Sequence, residues 1–147
     1  MIVYLDTSAL LPLVVVEAGT ATSSRLWNDA DEVVSTRLII AEAAAAVAQG
    51  NRMGRVADEQ HSYLQDQATR LIVDLTLVDV TTEVISRAAA LAVAHGLRGY
   101  DSVHLATATL IRARDVVFAS GDQRLLQAAA AEGFTTVDTS GEVDPVS

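Results

Sequence analysis

The chain has 147 residues, half of them hydrophobic, which is the size and composition of one globular domain. Cysteine is absent, which excludes disulfides, iron–sulfur clusters, zinc sites built on thiolates and cysteine nucleophiles. The formal net charge is −9, and all ten basic residues are arginines. This charge argues against a broad positive surface for duplex DNA, and the lack of lysine excludes P-loop nucleotide hydrolases.

The N-terminal residues do not resemble a targeting segment. No basic leader precedes the apolar residues, and Asp6 interrupts them where a signal peptide would continue. The longest uncharged apolar run there, residues 9–16, is far shorter than the roughly 20 residues that a membrane-spanning helix needs. We therefore expect a soluble, cytoplasmic protein that does not associate with a membrane.

Short apolar runs and helical patterns follow one another along the chain. Strands are predicted over residues 2–5, 33–34, 75–80, 116–119 and 135–137. The first predicted helix covers residues 10–17, with Pro12 in its first turn and Gly19 ending it, and a second helix begins at a cap within residues 20–24. Further helices are predicted over residues 38–49, 56–73, 82–95 and 123–132. Another begins near Arg98 and continues through Arg112. Strands without polar alternation that are separated by helices predict an α/β fold with a central parallel sheet of about five short strands. One domain over residues 1–140 and a polar tail over residues 141–147 are expected.

Three acidic residues stand where ligands bind in such a sheet. Asp6 and Asp122 follow predicted strands, at the carboxyl edge of the sheet, and Asp101 lies near the start of a helix. Each has a structural alternative, because an aspartate before a helix caps its free amides and one in the first turn complements the helix dipole. Taken singly, these positions do not distinguish the two roles.

Glu42 is the only charged residue between Ile39 and Ala48. A carboxylate buried among such residues needs a cation or hydrogen-bond donors, and Arg37 points roughly a quarter-turn or more away on the helix. A bound cation is therefore the predicted partner of Glu42. The alternative is a glutamate on the one solvent-facing stripe of a mostly apolar helix.

The four acids together could form one pocket of hard oxygen ligands, which suits Mg²⁺ or Mn²⁺. Repulsion among the carboxylates should then raise the pKa of at least one of them. His61, His95 and His104 lie on different predicted helices without the spacing of a zinc helix, and a packed or surface role is expected for His104.

Four segments resemble, in chain order, the acidic motifs of the PIN-domain family, and within it the VapC-like toxins. They are VYLDTSALLPL, IIAEAAAA, LRGYDSVHLATA and VVFASGDQRLLQAA. The resemblance extends from Ile2 to about Val137 and implies a PIN-like three-layer fold. It also implies that Asp6, Glu42, Asp101 and Asp122 form the metal-binding catalytic site, with polar support from Thr7, Ser8 and Ser120.

The function implied by this resemblance is that of a toxin in a type II toxin–antitoxin system. Such a protein would be a Mg²⁺- or Mn²⁺-dependent endoribonuclease acting on single-stranded or loop RNA, a homodimer, and inhibited by a VapB-like antitoxin. The acidic net charge means that phosphate contacts must come from individual arginines, and Arg98 and Arg124 are the candidates. The alternative is a PIN-like protein that binds metal, RNA or a partner without turnover; a small antitoxin gene directly upstream would favour the toxin.

Overall fold

The computed structural model describes residues 1–112 and 115–141. Within these ranges a single parallel sheet has the strand order β3-β2-β1-β4-β5. The strands are β1 (Ile2–Leu5), β2 (Glu32–Thr36), β3 (Thr76–Val78), β4 (Val116–Ser120) and β5 (Thr135–Asp138). The predicted α/β class and five-stranded parallel sheet are confirmed. The tail predicted for residues 141–147 lies outside the described residues from residue 142 onward.

Helices flank the sheet on both faces. They are α1 (Thr7–Leu10), α2 (Thr20–Asp29), α3 (Ile39–Arg52), α4 (Asp58–Val73), α5 (Thr82–His95), α6 (Gly99–Leu110) and α7 (Gln123–Ala131). Thr81 caps α5 by accepting a hydrogen bond from the amide of Val84, and Gly96 ends α5 in the left-handed region with φ 64°. The predicted boundaries of α5 are therefore confirmed. Helix α4 begins two residues later than predicted and α6 ends two residues earlier.

The prediction of a helix over residues 10–17 is wrong. The chain forms one α-helical turn at Thr7–Leu10, capped by Asp6, and then a 3₁₀ turn at Leu11–Leu13. Pro12 has no amide hydrogen for a continuing helix, and the β-branched residues 14–16 disfavour helix. Gly19 is the N-cap of α2, and residues 20–24 lie within α2 rather than before it.

The core lies on the two faces of the sheet. Alternate strand residues point to opposite sides, so Tyr4 and Phe118 pack beneath α5, α6 and α7, whereas Val3 and Ala119 pack with α1 and α3 on the other face. A third cluster joins α3 to α4 through Val47, Val56, Leu64 and Ala68. No described helix is both long and apolar enough to span a membrane.

Strand order determines where side chains can meet. The chain moves from β1 to β2 on one side and reaches β4 on the other, so β1 and β4 flank the point where the strand order reverses. Ligands of open α/β sheets bind beyond the carboxyl ends of the strands at such a point. Asp6 directly follows β1 and Asp122 lies two residues after β4.

Candidate metal and catalytic site

Asp6 is buried at the end of β1, with 4% of its surface exposed. Its Oδ1 accepts hydrogen bonds from the Ala9 amide (3.0 Å) and the Ser8 hydroxyl (2.7 Å), and its Oδ2 accepts one from the Ser120 hydroxyl (2.7 Å). Burial raises the pKa of Asp6, while His104 and the three hydrogen-bond donors act in the opposite direction. A raised pKa was expected, but its largest cause is burial and not repulsion between carboxylates.

Asp122 is linked to Asp6 through one hydroxyl group. Its side chain caps α7 by accepting a hydrogen bond from the Leu125 amide at 3.1 Å. Its own amide donates to the Ser120 oxygen at 3.0 Å, and the same hydroxyl donates to Asp6. The capping role considered for Asp6 and Asp122 is therefore real at both positions, and it also fixes both carboxylates at the sheet edge.

Glu42 reaches the same region from α3, with 22% of its side chain exposed. Its Oε1 accepts hydrogen bonds from the Thr7 hydroxyl (3.0 Å) and from His104 Nε2 (2.6 Å). Glu42 is thus neither a solvent-facing glutamate nor a buried charge without donors. Two side chains of the protein therefore already stabilise one oxygen of Glu42 without a cation. A bound cation at Glu42 stays a prediction.

Asp101 lies in the first turn of α6 and is joined to Asp122 by an arginine. The Nε atom of Arg98 lies 3.3 Å from Asp101 Oδ2, and its Nη2 atom lies 3.7 Å from Asp122 Oδ2. The Arg98 side chain is 80% exposed. Arg124, the other candidate for phosphate contact, is exposed on α7 next to Asp122.

All four predicted acids therefore lie at one edge of the sheet and are connected by short polar contacts. Thr7 connects Glu42 to the Asp6 turn, Ser120 connects Asp6 to Asp122, and Arg98 connects Asp122 to Asp101. The supporting hydroxyls predicted at Thr7, Ser8 and Ser120 each lie within hydrogen-bond distance of a site acid.

Sequence reasoning missed the polar contact behind Glu42. His104 is 1% exposed, and its Nδ1 atom lies 2.8 Å from the hydroxyl of Tyr4, which has no exposed surface. His104 lies three residues after Asp101 in the sequence, but it contacts Glu42 instead. A tyrosine within an apolar strand was the available signal, because a buried hydroxyl needs a partner. His61 and His95 lie on α4 and α5, where they approach Gln65 and Glu132.

The donor set fits a hard divalent ion, because it consists of carboxylate oxygens held by hydroxyl and amide donors. In residues 1–112 and 115–141, however, no three acidic or histidine side chains are drawn together as a ready-made metal site. Arg98 lies between Asp101 and Asp122 and supplies positive charge there. An ion would therefore require the exposed Arg98 side chain to move away from these two acids, while Asp6 is already fixed.

Comparisons with known proteins agree with this fold. Residues 3–131 match the model of the PIN domain. The chain is 34% identical over 132 residues to Ribonuclease VapC45 of Mycobacterium tuberculosis, covering 90% of this chain and 92% of that protein. This protein belongs to the PIN-domain family, and within it to the group that contains the VapC ribonucleases.

Two solved structures share the fold at low sequence identity. The M. tuberculosis toxin VapC20, described as cleaving the sarcin–ricin loop, aligns with a TM-score of 0.65 and 21% identity over 92% of this chain and 98% of that one. A toxin–antitoxin complex from Klebsiella pneumoniae aligns with a TM-score of 0.65 and 17% identity over 93% and 97% of the two chains. At these identities the likeness concerns the fold.

Proposed function

We propose that this protein is the toxin of a type II toxin–antitoxin system, an endoribonuclease that depends on Mg²⁺ or Mn²⁺ and hydrolyses single-stranded or loop RNA. The observation that carries the proposal is the buried carboxylate of Asp6, held by three donors and linked through Ser120 to Asp122. Its similarity to a protein named as a ribonuclease, at 34% identity, supports RNA as the substrate.

Asp6, Glu42, Asp101 and Asp122 are the residues that would hold the ion. When bound, the ion would activate a water molecule for attack and neutralise negative charge on the phosphodiester. Ser8, Ser120 and the Ala9 amide keep the Asp6 carboxylate in place before any ligand arrives, and Thr7 does the same for Glu42. Such prior positioning reduces the rearrangement needed during the reaction.

Arg98 and Arg124 would contact RNA phosphates. The Arg98 side chain is long, exposed and close to two site acids, so it can turn from a carboxylate to a phosphate. A planar guanidinium suits phosphate oxygens because it can donate two parallel hydrogen bonds. In a protein of net charge −9, these two local cations are needed where RNA approaches.

We further propose that a VapB-like antitoxin inhibits the protein, which acts as a cytoplasmic homodimer. The position of Arg98 supports inhibition at the site, because it demonstrates that a guanidinium fits between Asp101 and Asp122. A basic side chain of an antitoxin could be received by the same carboxylates and would exclude an ion. The fold shared with a toxin–antitoxin complex is consistent with such a partner.

Cleavage of single-stranded RNA by the antitoxin-free protein tests the proposal. Asp6→Asn and Asp101→Asn should lower the rate by about 100-fold or more, as for other groups that stabilise developing charge. The control is Asp66→Asn, which removes an exposed carboxylate on α4 and should leave the rate unchanged.

Two results would contradict this function. Wild-type protein that binds Mg²⁺ and RNA but does not cut would support the binding-only alternative. An Asp6→Asn variant that cuts as fast as the Asp66→Asn control would exclude Asp6 from the reaction.

A further inference from the structure

A buried chain of three side chains runs from the core of the sheet to Glu42. The Tyr4 hydroxyl lies 2.8 Å from His104 Nδ1, and His104 Nε2 lies 2.6 Å from Glu42 Oε1. Tyr4 and His104 are 0% and 1% exposed, whereas the Glu42 side chain reaches the surface with 22% exposure. The chain therefore links the interior to one of the four acids.

The distances assign the hydrogen atom on the histidine. An ionised carboxylate can only accept a hydrogen bond, so in the 2.6 Å contact with Glu42 Oε1 the hydrogen is assigned to Nε2. The hydroxyls of Ser35 and Thr107 lie near the Tyr4 hydroxyl, but they donate their hydrogens to the Leu5 and Val103 carbonyls. The Tyr4 hydroxyl is thus the group that fixes the Nδ1 side of the ring.

The two donors to Glu42 contact the same oxygen. Thr7 Oγ1 and His104 Nε2 both donate to Oε1, at 3.0 Å and 2.6 Å. A glutamate side chain has several rotatable bonds, and two donors on one oxygen restrict them. No hydrogen bond or ion pair from residues 1–112 or 115–141 reaches the second oxygen, Oε2, which is therefore available to another ligand.

We propose that His104 is a positioning residue that holds Glu42 Oε1 through its Nε2 hydrogen, with Tyr4 fixing the ring, so that Oε2 is presented to the divalent ion. This inference rests on the proposed function in one respect, namely that Glu42 is a ligand of the ion. Contacts behind a metal ligand commonly change affinity about 10- to 100-fold when they are removed.

Mg²⁺ affinity of the full chain, measured by titration calorimetry without RNA, tests the proposal. His104→Leu should weaken Mg²⁺ binding about 10-fold or more. His104→Gln should recover most of this loss, because its amide nitrogen stands as many bonds from Cβ as Nε2 does and can donate to Glu42. Tyr4→Phe, which removes only the hydroxyl, should give an intermediate loss.

Phe118→Leu is the matched control. The Phe118 ring stacks on the Tyr4 ring at 5.3 Å, but Phe118 has no polar group that could contact the histidine. This variant should lower thermal stability and leave Mg²⁺ affinity unchanged, whereas Tyr4→Phe should weaken Mg²⁺ binding. If His104→Leu does not fold, the comparison of Tyr4→Phe and His104→Gln with Phe118→Leu decides the matter.

A second readout needs no metal. A nitrogen-15 NMR spectrum of the histidine side chains in the metal-free protein should contain a slowly exchanging hydrogen on Nε2 of His104. That signal should be retained in Phe118→Leu and exchange faster in Glu42→Gln. A hydrogen on Nδ1 alone would overturn the assignment.

The outcomes separate the two proposals. If Glu42→Gln binds Mg²⁺ as tightly as wild type, Glu42 is not a ligand and that part of the proposed function fails. If Glu42→Gln binds weakly but His104→Leu and Tyr4→Phe bind like wild type, or if His104→Gln recovers nothing, the positioning role is wrong while the function stands.

Discussion

Asp6 has an observed role as a helix cap and a proposed role as a metal ligand, and the two conflict in the absence of an ion. Its carboxylate caps α1 through the Ala9 amide and is buried with three donors but no ion pair within the described residues. Burial raises its pKa, so the ionised form that a metal requires is less favourable in the folded, metal-free protein than in the unfolded chain. Such a residue is expected to trade stability for function.

The pH dependence of stability follows from that pKa. The folded protein holds the Asp6 proton more tightly than the unfolded chain, so the unfolding free energy should fall as pH rises from 3.8 through the raised value. Asp6→Asn should remove this fall and, with EDTA present, be about 1 kcal/mol more stable than wild type at pH 7. Urea unfolding between pH 4 and pH 8 measures both effects.

Asp66→Asn on the exposed face of α4 provides the comparison, and it should follow the wild-type pH profile. An Asp6→Asn variant that is less stable than wild type at pH 7, or that keeps the wild-type pH profile, would contradict the importance of this buried charge.

Arg98 should oppose the ion and favour the RNA. Because its guanidinium lies between Asp101 and Asp122, Arg98→Gln should tighten Mg²⁺ binding by about threefold, the effect of losing one exposed ion pair. The same variant should weaken RNA binding. Arg124→Gln, with no ion pair within the described residues, should affect only RNA. Equal Mg²⁺ affinities of the two variants would contradict this role.

At the residue scale, the sequence predicts the acids better than the contacts behind them. Asp6 and Asp122 can be found because they follow strands, and Glu42 because it is the lone charge of an apolar helix. The contact between His104 and Glu42 joins residues 62 positions apart, and that between Tyr4 and His104 joins residues 100 apart. No local pattern encodes such distances, since they depend on how α6 packs across the sheet.

At the element scale, the strands and the capped helices are predictable and the segment after α1 is not. Apolar runs identify β1 and β4, and Thr81 and Gly96 bound α5. Apolar periodicity predicts a helix over residues 10–17. Pro12 and the three valines at 14–16 disfavour that helix, and a 3₁₀ turn forms at Leu11–Leu13 instead. The sequence predicts Gly19 as the end of a helix, but Gly19 is the N-cap of α2 and packs against Thr139, which is distant in sequence.

Gly19 is required where α2 begins against the segment after β5. A Cβ atom at this position would lie 1.8 Å from the Thr139 carbonyl oxygen. Gly19→Ala should therefore lower the unfolding free energy by about 2 kcal/mol, within the usual range for overpacking. Urea unfolding measures this loss.

Gly99→Ala is the control for that substitution. A Cβ at Gly99, the first residue of α6, meets no described atom within 4 Å. Alanine is the better helix former, so this variant should be as stable as wild type or slightly more stable. Equal stability of the two alanine variants would mean that the segment around Thr139 does not pack on α2 as described.

At the scale of the whole molecule, the parallel sheet concentrates acidic groups in a protein that is already acidic. The net charge is −9; Asp6 and Asp122 lie where the strand order reverses, and Glu42 and Asp101 are linked to them through Thr7 and Arg98. A polyanion such as RNA would be repelled by this edge unless cations intervene. Bound divalent ions and Arg98 would supply those cations, which is why metal dependence is central to the proposed activity.

The most direct measurement of whether the four acids form a metal-dependent hydrolytic site is the chemistry of the cut RNA ends. If these acids hold Mg²⁺, the ion would activate water for attack from outside the RNA, so the products should carry a 5′-phosphate and a free 3′-hydroxyl, and EDTA should abolish cutting. The alternative uses the RNA 2′-hydroxyl as nucleophile with a protein acid and base, and would leave 2′,3′-cyclic phosphate ends. Cutting that survives EDTA and leaves cyclic ends would contradict the assignment of Asp6, Glu42, Asp101 and Asp122.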